Sequence, residues 1–187
     1  STTLAHIIGY QGKLDSSELE SLYQVGYLPS DSIGKSGIEK SYEEQLRGTY
    51  GKRRVEVNAG GVLQKTLAEE PATAGNYLYL TLDLAIQEKL ESIMKKTLEK
   101  YGKERGSAIA LDPRDGSILA MVSMPSFNNN DFSGGIDHKK YASYLEDPNQ
   151  PLFNRAISGA YPSGSTIKPV IASAALQEGI INPGTTI

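Results

Sequence analysis

Tyr161-Pro162-Ser163-Gly164-Ser165-Thr166-Ile167-Lys168-Pro169 joins a turn to a helix. Pro162-Ser163-Gly164 makes a sharp entry. Beyond it Ile167, Val170, Ile171, Ala174 and Ala175 recur at helical spacing, and Gly179 ends the run. The spacing predicts a helix from about Ser165 to Gln177 with those residues facing inward. A serine at a helix start lies among free N–H groups at the positive end of the dipole. Lys168 follows three residues later on the same face, roughly 5–6 Å away between Cβ atoms. An apolar first turn would desolvate that amine, lower its pKa and leave it neutral as a base. Pro169 is tolerated because the first turn needs no internal N–H bond. Ser165 is therefore a candidate nucleophile and Lys168 its candidate base. The spacing alone equally describes an N-capping serine beside a surface lysine.

Two other pairs share the Ser-x-x-Lys spacing, Ser32 with Lys35 and Ser92 with Lys95. Ser32 lies in a Gly-rich stretch with no helix to fix the lysine. Ser92 falls in the middle of a helical pattern, where the backbone amides are already engaged. Only Ser165 combines the spacing with a helix start.

Working upstream, Gly106 to Leu111 and Ser117 to Val122 are strand-like runs flanking Asp112-Pro113-Arg114-Asp115-Gly116, a hairpin signal. Before them, Asp83 caps a helix carried by Ile86, Leu90, Ile93, Met94, Thr97, Leu98 and Tyr101, and Gly102 ends it. Tyr77 to Leu82 alternates as a strand, with Tyr77 and Tyr79 on its outer face. Arg53 to Asn58 and Val62 to Leu67 are strands joined by the turn Ala59-Gly60-Gly61. Asp15-Ser16-Ser17-Glu18 opens a helix, and Ile38 to Leu46 forms another that stops at Gly48. Residues 123 to 163 are a long polar stretch read as a loop, with turn chemistry at Asn128 to Asn130.

Composition narrows the chemistry. The 187 residues carry a net charge of −3, which offers no basic excess for nucleic acid. With no Cys and two His, disulfides, thiol catalysis and Cys- or His-rich metal sites are disfavoured, and neither a metal nor a cofactor is expected. His6 and His138 sit among polar residues and are expected to be solvated. No Gly-x-Ser-x-Gly occurs, so a Ser-His-Asp hydrolase is a weak reading. Glu39 and Arg47 are candidates for a structural ion pair. The longest apolar run, Ile118 to Val122, is far short of the ~20 residues of a membrane span. The chain shows no signal peptide and does not start with Met, and it is expected to be part of something longer.

Residues 161–169 resemble the active-site serine motif of penicillin-binding proteins. Asn154-Arg155-Ala156, the 106–125 hairpin, Thr81 to Gln87, Gly37-Ile38-Glu39 and Tyr42 to Gly48 are similar to further segments of the monofunctional, class B members, in the same order. The resemblance implies an α+β fold: a β-rich, non-catalytic pedestal at 1–76, then the first part of a transpeptidase domain at 77–187, an antiparallel sheet with helices. It implies a peptidoglycan D,D-transpeptidase in which Ser165 is nucleophile and oxyanion N–H donor and Lys168 is general base. Peptidoglycan stem peptides and β-lactams would be its ligands. Its partners would be the downstream part of its own transpeptidase domain and cell-wall elongation or division proteins. The place would be the extracytoplasmic (periplasmic) face of the cell membrane, through an N-terminal anchor outside this chain. The family's Ser-x-Asn and Lys-Thr/Ser-Gly motifs follow the serine, and residues 169–187 hold neither, so the chain by itself is expected to be inactive. A serine β-lactamase or β-lactam sensor shares Ser-x-x-Lys but lacks a segment like 37–48. A non-catalytic scaffold of the cell-wall machinery is the reading from another class.

Overall fold

The computed structural model describes residues 2–186. The chain opens with the short helix α1 (Ala5–Ile8) and strand β1 (Gln11–Lys13). Helix α2 (Ser16–Leu22) follows, with a complete capping box. The Asp15 carboxylate accepts from the Ser17 and Glu18 N–H groups at 2.9 and 2.8 Å, and Glu18 accepts from the Asp15 N–H at 2.8 Å. Strand β2 (Ser32–Gly34) returns antiparallel to β1.

The single helix expected at 38–46 is instead two, α3 (Gly37–Ser41) and α4 (Glu43–Leu46), broken at Tyr42. The break accompanies a tertiary contact. Glu43 accepts from the Gly34 N–H of β2 at 2.8 Å and from the Tyr27 hydroxyl at 3.1 Å. Strands β3 (Lys52–Val57) and β4 (Leu63–Glu70) form an antiparallel ribbon. Its register sets Lys52 opposite Glu70, Arg53 opposite Glu69 and Glu56 opposite Lys65, and these opposite charges favour the observed pairing.

Tyr77 to Leu82 forms no strand among the described residues. Tyr77 and Tyr79 do point outward, at 91% and 92% exposure. The segment is tied down at its end, where Thr81 Oγ1 donates to the Ile118 carbonyl and the Asp83 N–H to the Leu119 carbonyl. Asp83 also caps α5 (Leu84–Lys100), accepting from the Ile86 N–H at 3.0 Å. The predicted hairpin is β5 (Gly106–Leu111) and β6 (Ile118–Met124), antiparallel with an irregularity at Ala110/Leu111.

Helix α5 packs on β6 through a polar side chain. Gln87 is fully buried. Its amide donates to the Met121 carbonyl at 2.9 Å and the Thr3 carbonyl at 3.0 Å, and accepts from the Met121 N–H at 2.8 Å. One side chain thus holds helix, strand and N-terminal segment together. Gln87→Leu would leave three backbone groups without these partners in the interior. The variant is expected to lose about 3 kcal/mol of stability, a drop of roughly 10 °C in thermal midpoint. Calorimetry with a change under about 2 °C would refute this role.

The polar stretch 123–163 is not a loop. It contains a 3-10 turn (Asn129–Phe132), helix α6 (His138–Glu146) capped by Asp137, and helix α7 (Arg155–Ser158). Asn128 does the expected turn work, accepting from the Asn130 N–H and donating to Asp131. The stretch also supplies a buried aromatic centre. Phe127, Phe132 and Ala5 are buried together, with Tyr10, Ile136, Tyr144 and Leu152 packed against them. Tyr10 and Tyr144 both stack on Phe132, at 3.8 and 6.0 Å between ring centroids.

The described chain falls into two compact units, one ending at Ile157 and one beginning at Ser158. The second holds a 3-10 turn (Gly164–Ile167) running into helix α8 (Lys168–Gln177). Among the described residues no helix is long and apolar enough to cross a membrane.

Candidate active site

Gly164 has φ +56°, a left-handed conformation that a residue with a Cβ rarely adopts. It turns the chain from Pro162-Ser163 into the helix. The helix expected from Ser165 begins one turn later, because the first turn is 3-10. Pro169 explains this. In an α-helix the Ser165 carbonyl would accept from residue 169, but proline has no N–H. The Ser165 carbonyl instead accepts from the Lys168 N–H, three residues on. Side chains three apart eclipse in such a turn, so Ser165 and Lys168 share a face. The first bond of the turn runs from the Thr166 N–H to the Ser163 carbonyl. The Ser165 N–H lies ahead of it and is available to a ligand.

The desolvated lysine is not found. Lys168 is exposed, as is Ser165, and neither side chain has a hydrogen-bond or ion-pair partner among the described residues. The apolar positions that were to face inward, Ile167, Val170 and Ile171, are exposed as well. Nothing among the described residues of this unit covers them, so the turn supplies geometry without burial.

The other two Ser-x-x-Lys pairs stay outside any such site. Ser32 begins β2 rather than lying in a loop, and Lys35 is ion-paired with Glu18. Ser92 and Lys95 lie inside α5.

The segment leading toward the motif is anchored. The Arg155 N–H donates to Ser123 Oγ at 3.0 Å, and its buried guanidinium donates to the carbonyls of Gln150, Phe153 and Asn149. Asn154 donates to the His6 carbonyl at 3.2 Å. His6 is not solvated as expected. It packs edge-on against Phe127 and its Nε2 lies 2.8 Å from the Pro151 carbonyl, and burial pushes its pKa below the ordinary value. His138 is exposed at the start of α6.

A polar cluster around Asp31 and Arg47 escaped the sequence reading. Arg47 does not pair with Glu39, which accepts from Gln11 instead. Its guanidinium lies 3.4 Å over the Tyr27 ring and 3.6 Å from the buried Asp31. Burial alone would raise the Asp31 carboxyl. The Leu28 N–H, the Tyr50 hydroxyl and Arg47 together hold it below the usual carboxylate range. Among the described residues no group of His, Asp and Glu is placed to hold a metal ion.

Residues 1–80 match the family model described as the penicillin-binding protein dimerisation domain, and residues 106–187 match the penicillin binding protein transpeptidase domain. The chain belongs to the class B penicillin-binding proteins. It is similar to peptidoglycan D,D-transpeptidase MrdA of Haemophilus influenzae, with 43% identity over 99% of this chain and 28% of that protein. The MrdA of Acinetobacter baumannii is 44% identical over 98% of this chain and 26% of its own length. The chain thus spans less than a third of these relatives. A solved penicillin-binding protein, PBP2 in complex with MreC from Helicobacter pylori, has a TM-score of 0.84 at 31% identity, covering all of this chain and 33% of that one. The α+β fold of a class B penicillin-binding protein, dimerisation domain followed by the start of a transpeptidase domain, is thereby shown.

Proposed function

We propose that this sequence is the central part of a peptidoglycan D,D-transpeptidase, with Ser165 as nucleophile and Lys168 as general base. The observation that carries the reading is the Pro169-enforced turn. It joins the two residues through a backbone hydrogen bond and leaves the Ser165 N–H ahead of the helix ladder. Residues 1–76 form the pedestal and 77–187 the first part of the transpeptidase domain, in keeping with the two matched families.

Lys168, once a cover takes its amine out of water, accepts the Ser165 Oγ proton as Oγ bonds to the carbonyl carbon between the two terminal D-Ala residues of a stem peptide. The oxyanion so formed accepts from the Ser165 N–H. The C–N bond then breaks, and D-Ala leaves carrying the proton that Lys168 returns. An amine from a second strand attacks the ester, loses a proton and regenerates Ser165, leaving a new peptide cross-link. A β-lactam follows the first half. Its ring amide opens on Ser165, but the leaving nitrogen stays attached to the acyl group. No metal or cofactor enters any step.

The work would be done at the extracytoplasmic face of the cell membrane, with elongation or division proteins as partners. The similarity to a PBP2 solved with MreC supports a place in that machinery. The decisive experiment uses the full-length protein and a labelled penicillin. The adduct is expected on the peptide carrying Ser165, at one label per chain. A label on any other serine would overturn the assignment.

A further inference from the structure

A cleft of about 510 Å³ opens in the pedestal segment, where β1–β2, the turn at Ser30 and the paired stretches at Thr49 and Thr73 meet. That volume lies within the range of small-ligand sites. Among its lining residues the two charged ones, Asp31 and Arg47, neutralise each other across 3.6 Å. An ion of either sign would meet the attracting and the repelling group together, so the cleft favours an uncharged ligand.

The remaining wall is hydrogen-bonding surface. Ser30, Ser32, Thr49 and Thr73 line it, and none of their hydroxyls has a hydrogen-bond partner among the described residues. A purely apolar ligand would strip water from these groups and return nothing. One aromatic ring completes the wall. The Tyr50 hydroxyl is pinned to Asp31 at 2.5 Å while 56% of the residue stays exposed. The ring is therefore fixed before any ligand arrives and has little freedom left to lose. Pyranose sugars carry both complements, a rim of hydroxyls and a C–H face that lies on an aromatic ring.

We propose that this cleft is a carbohydrate subsite that takes one or two uncharged pyranose units. It lies within residues 11–73, and the proposal does not depend on the chemistry of Ser165.

The test titrates the 187-residue chain with chitotetraose, followed by NMR, and in parallel sediments it with insoluble chitin, the uncharged polymer of the same sugar. Saturable binding to the tetrasaccharide supports a site for free oligosaccharide. Binding to the chitin alone supports a site for polymeric glycan. Binding to neither overturns the proposal. The location is tested by T49V/T73V. That variant keeps the side-chain shape and the mutual backbone bonds of the two threonines, at 2.8 and 3.0 Å, and removes both hydroxyls. Its affinity is expected to fall at least about tenfold with an unchanged thermal midpoint. S30A/S32A, at two exposed positions, serves as the second variant should the first lose stability. Full affinity in a folded variant of either kind would remove the cleft from the interaction.

Discussion

Penicillin is expected to acylate the full-length Lys168→Arg variant at least about 10²-fold more slowly than the parent, and the same substitution in the 187-residue chain is expected to leave the thermal midpoint unchanged. The two halves of that expectation have separate physical grounds. A guanidinium keeps its proton at any workable pH and cannot accept one from Ser165 Oγ. A positioned general base contributes about 10²–10⁴ in rate, and that contribution is what the substitution removes. Stability of the 187-residue chain is untouched because its Lys168 side chain is exposed and makes no hydrogen bond or ion pair among the described residues. The turn itself persists, since it is held by the Lys168 backbone N–H and by Pro169, neither of which changes. Stopped-flow acylation with a fluorescent penicillin gives the rate, and calorimetry gives the midpoint. A rate within a few-fold of the parent would take Lys168 out of the mechanism. A lowered midpoint would mean that the side chain has a structural role.

Local chemistry was legible wherever it is written in neighbouring residues. Asp15 with Glu18, and Asp83, fix helix starts because the capping partners lie within three residues of each other. The 106–124 hairpin was legible for the same reason, a turn-rich linker between two short runs. The elements that were misread depend on distant partners. Tyr10, Phe127, Phe132 and Tyr144 form one aromatic centre, yet they are scattered along the chain and share no period. With its buried residues unrecognised, the polar 123–163 stretch looked like a loop, and α6 was lost with it. That the backbone of β6 and Thr3 draws the Gln87 amide of α5 inside is likewise no property of the helix alone. His6 and Arg47 were misplaced likewise, since Pro151 and Asp31 lie far from them in sequence.

In the candidate site the same division holds. The Ser165–Lys168 spacing and the missing N–H of Pro169 lie inside nine residues, so the shared face of the turn could be read directly. The covering of Lys168 could not, because it is no property of the turn. The apolar positions Ile167, Val170 and Ile171 signal that a cover is needed without supplying one.

The 187-residue chain by itself is therefore expected to show no stoichiometric penicillin adduct under conditions that fully label the full-length protein. Lys168 is exposed, and the proposed mechanism needs its amine covered. The Ser165 N–H is proposed as one oxyanion donor, and an oxyanion hole short of a donor loses about 10²–10³ in rate. Residues 169–187 contain neither of the motifs that the family sets after its serine, among them the strand that would donate the second N–H. The exposed apolar face of α8, with Val170 at 62% and Ile171 at 59%, is the surface such a strand and its neighbours would bury. Covering that face would desolvate the amine and complete the hole in one step, which is why binding geometry and reactivity should appear together rather than separately. Intact-mass spectrometry after incubation with penicillin reads the outcome. A complete adduct on the isolated chain would show that the exposed turn is sufficient, and that neither desolvation of Lys168 nor a second oxyanion donor is required for acylation.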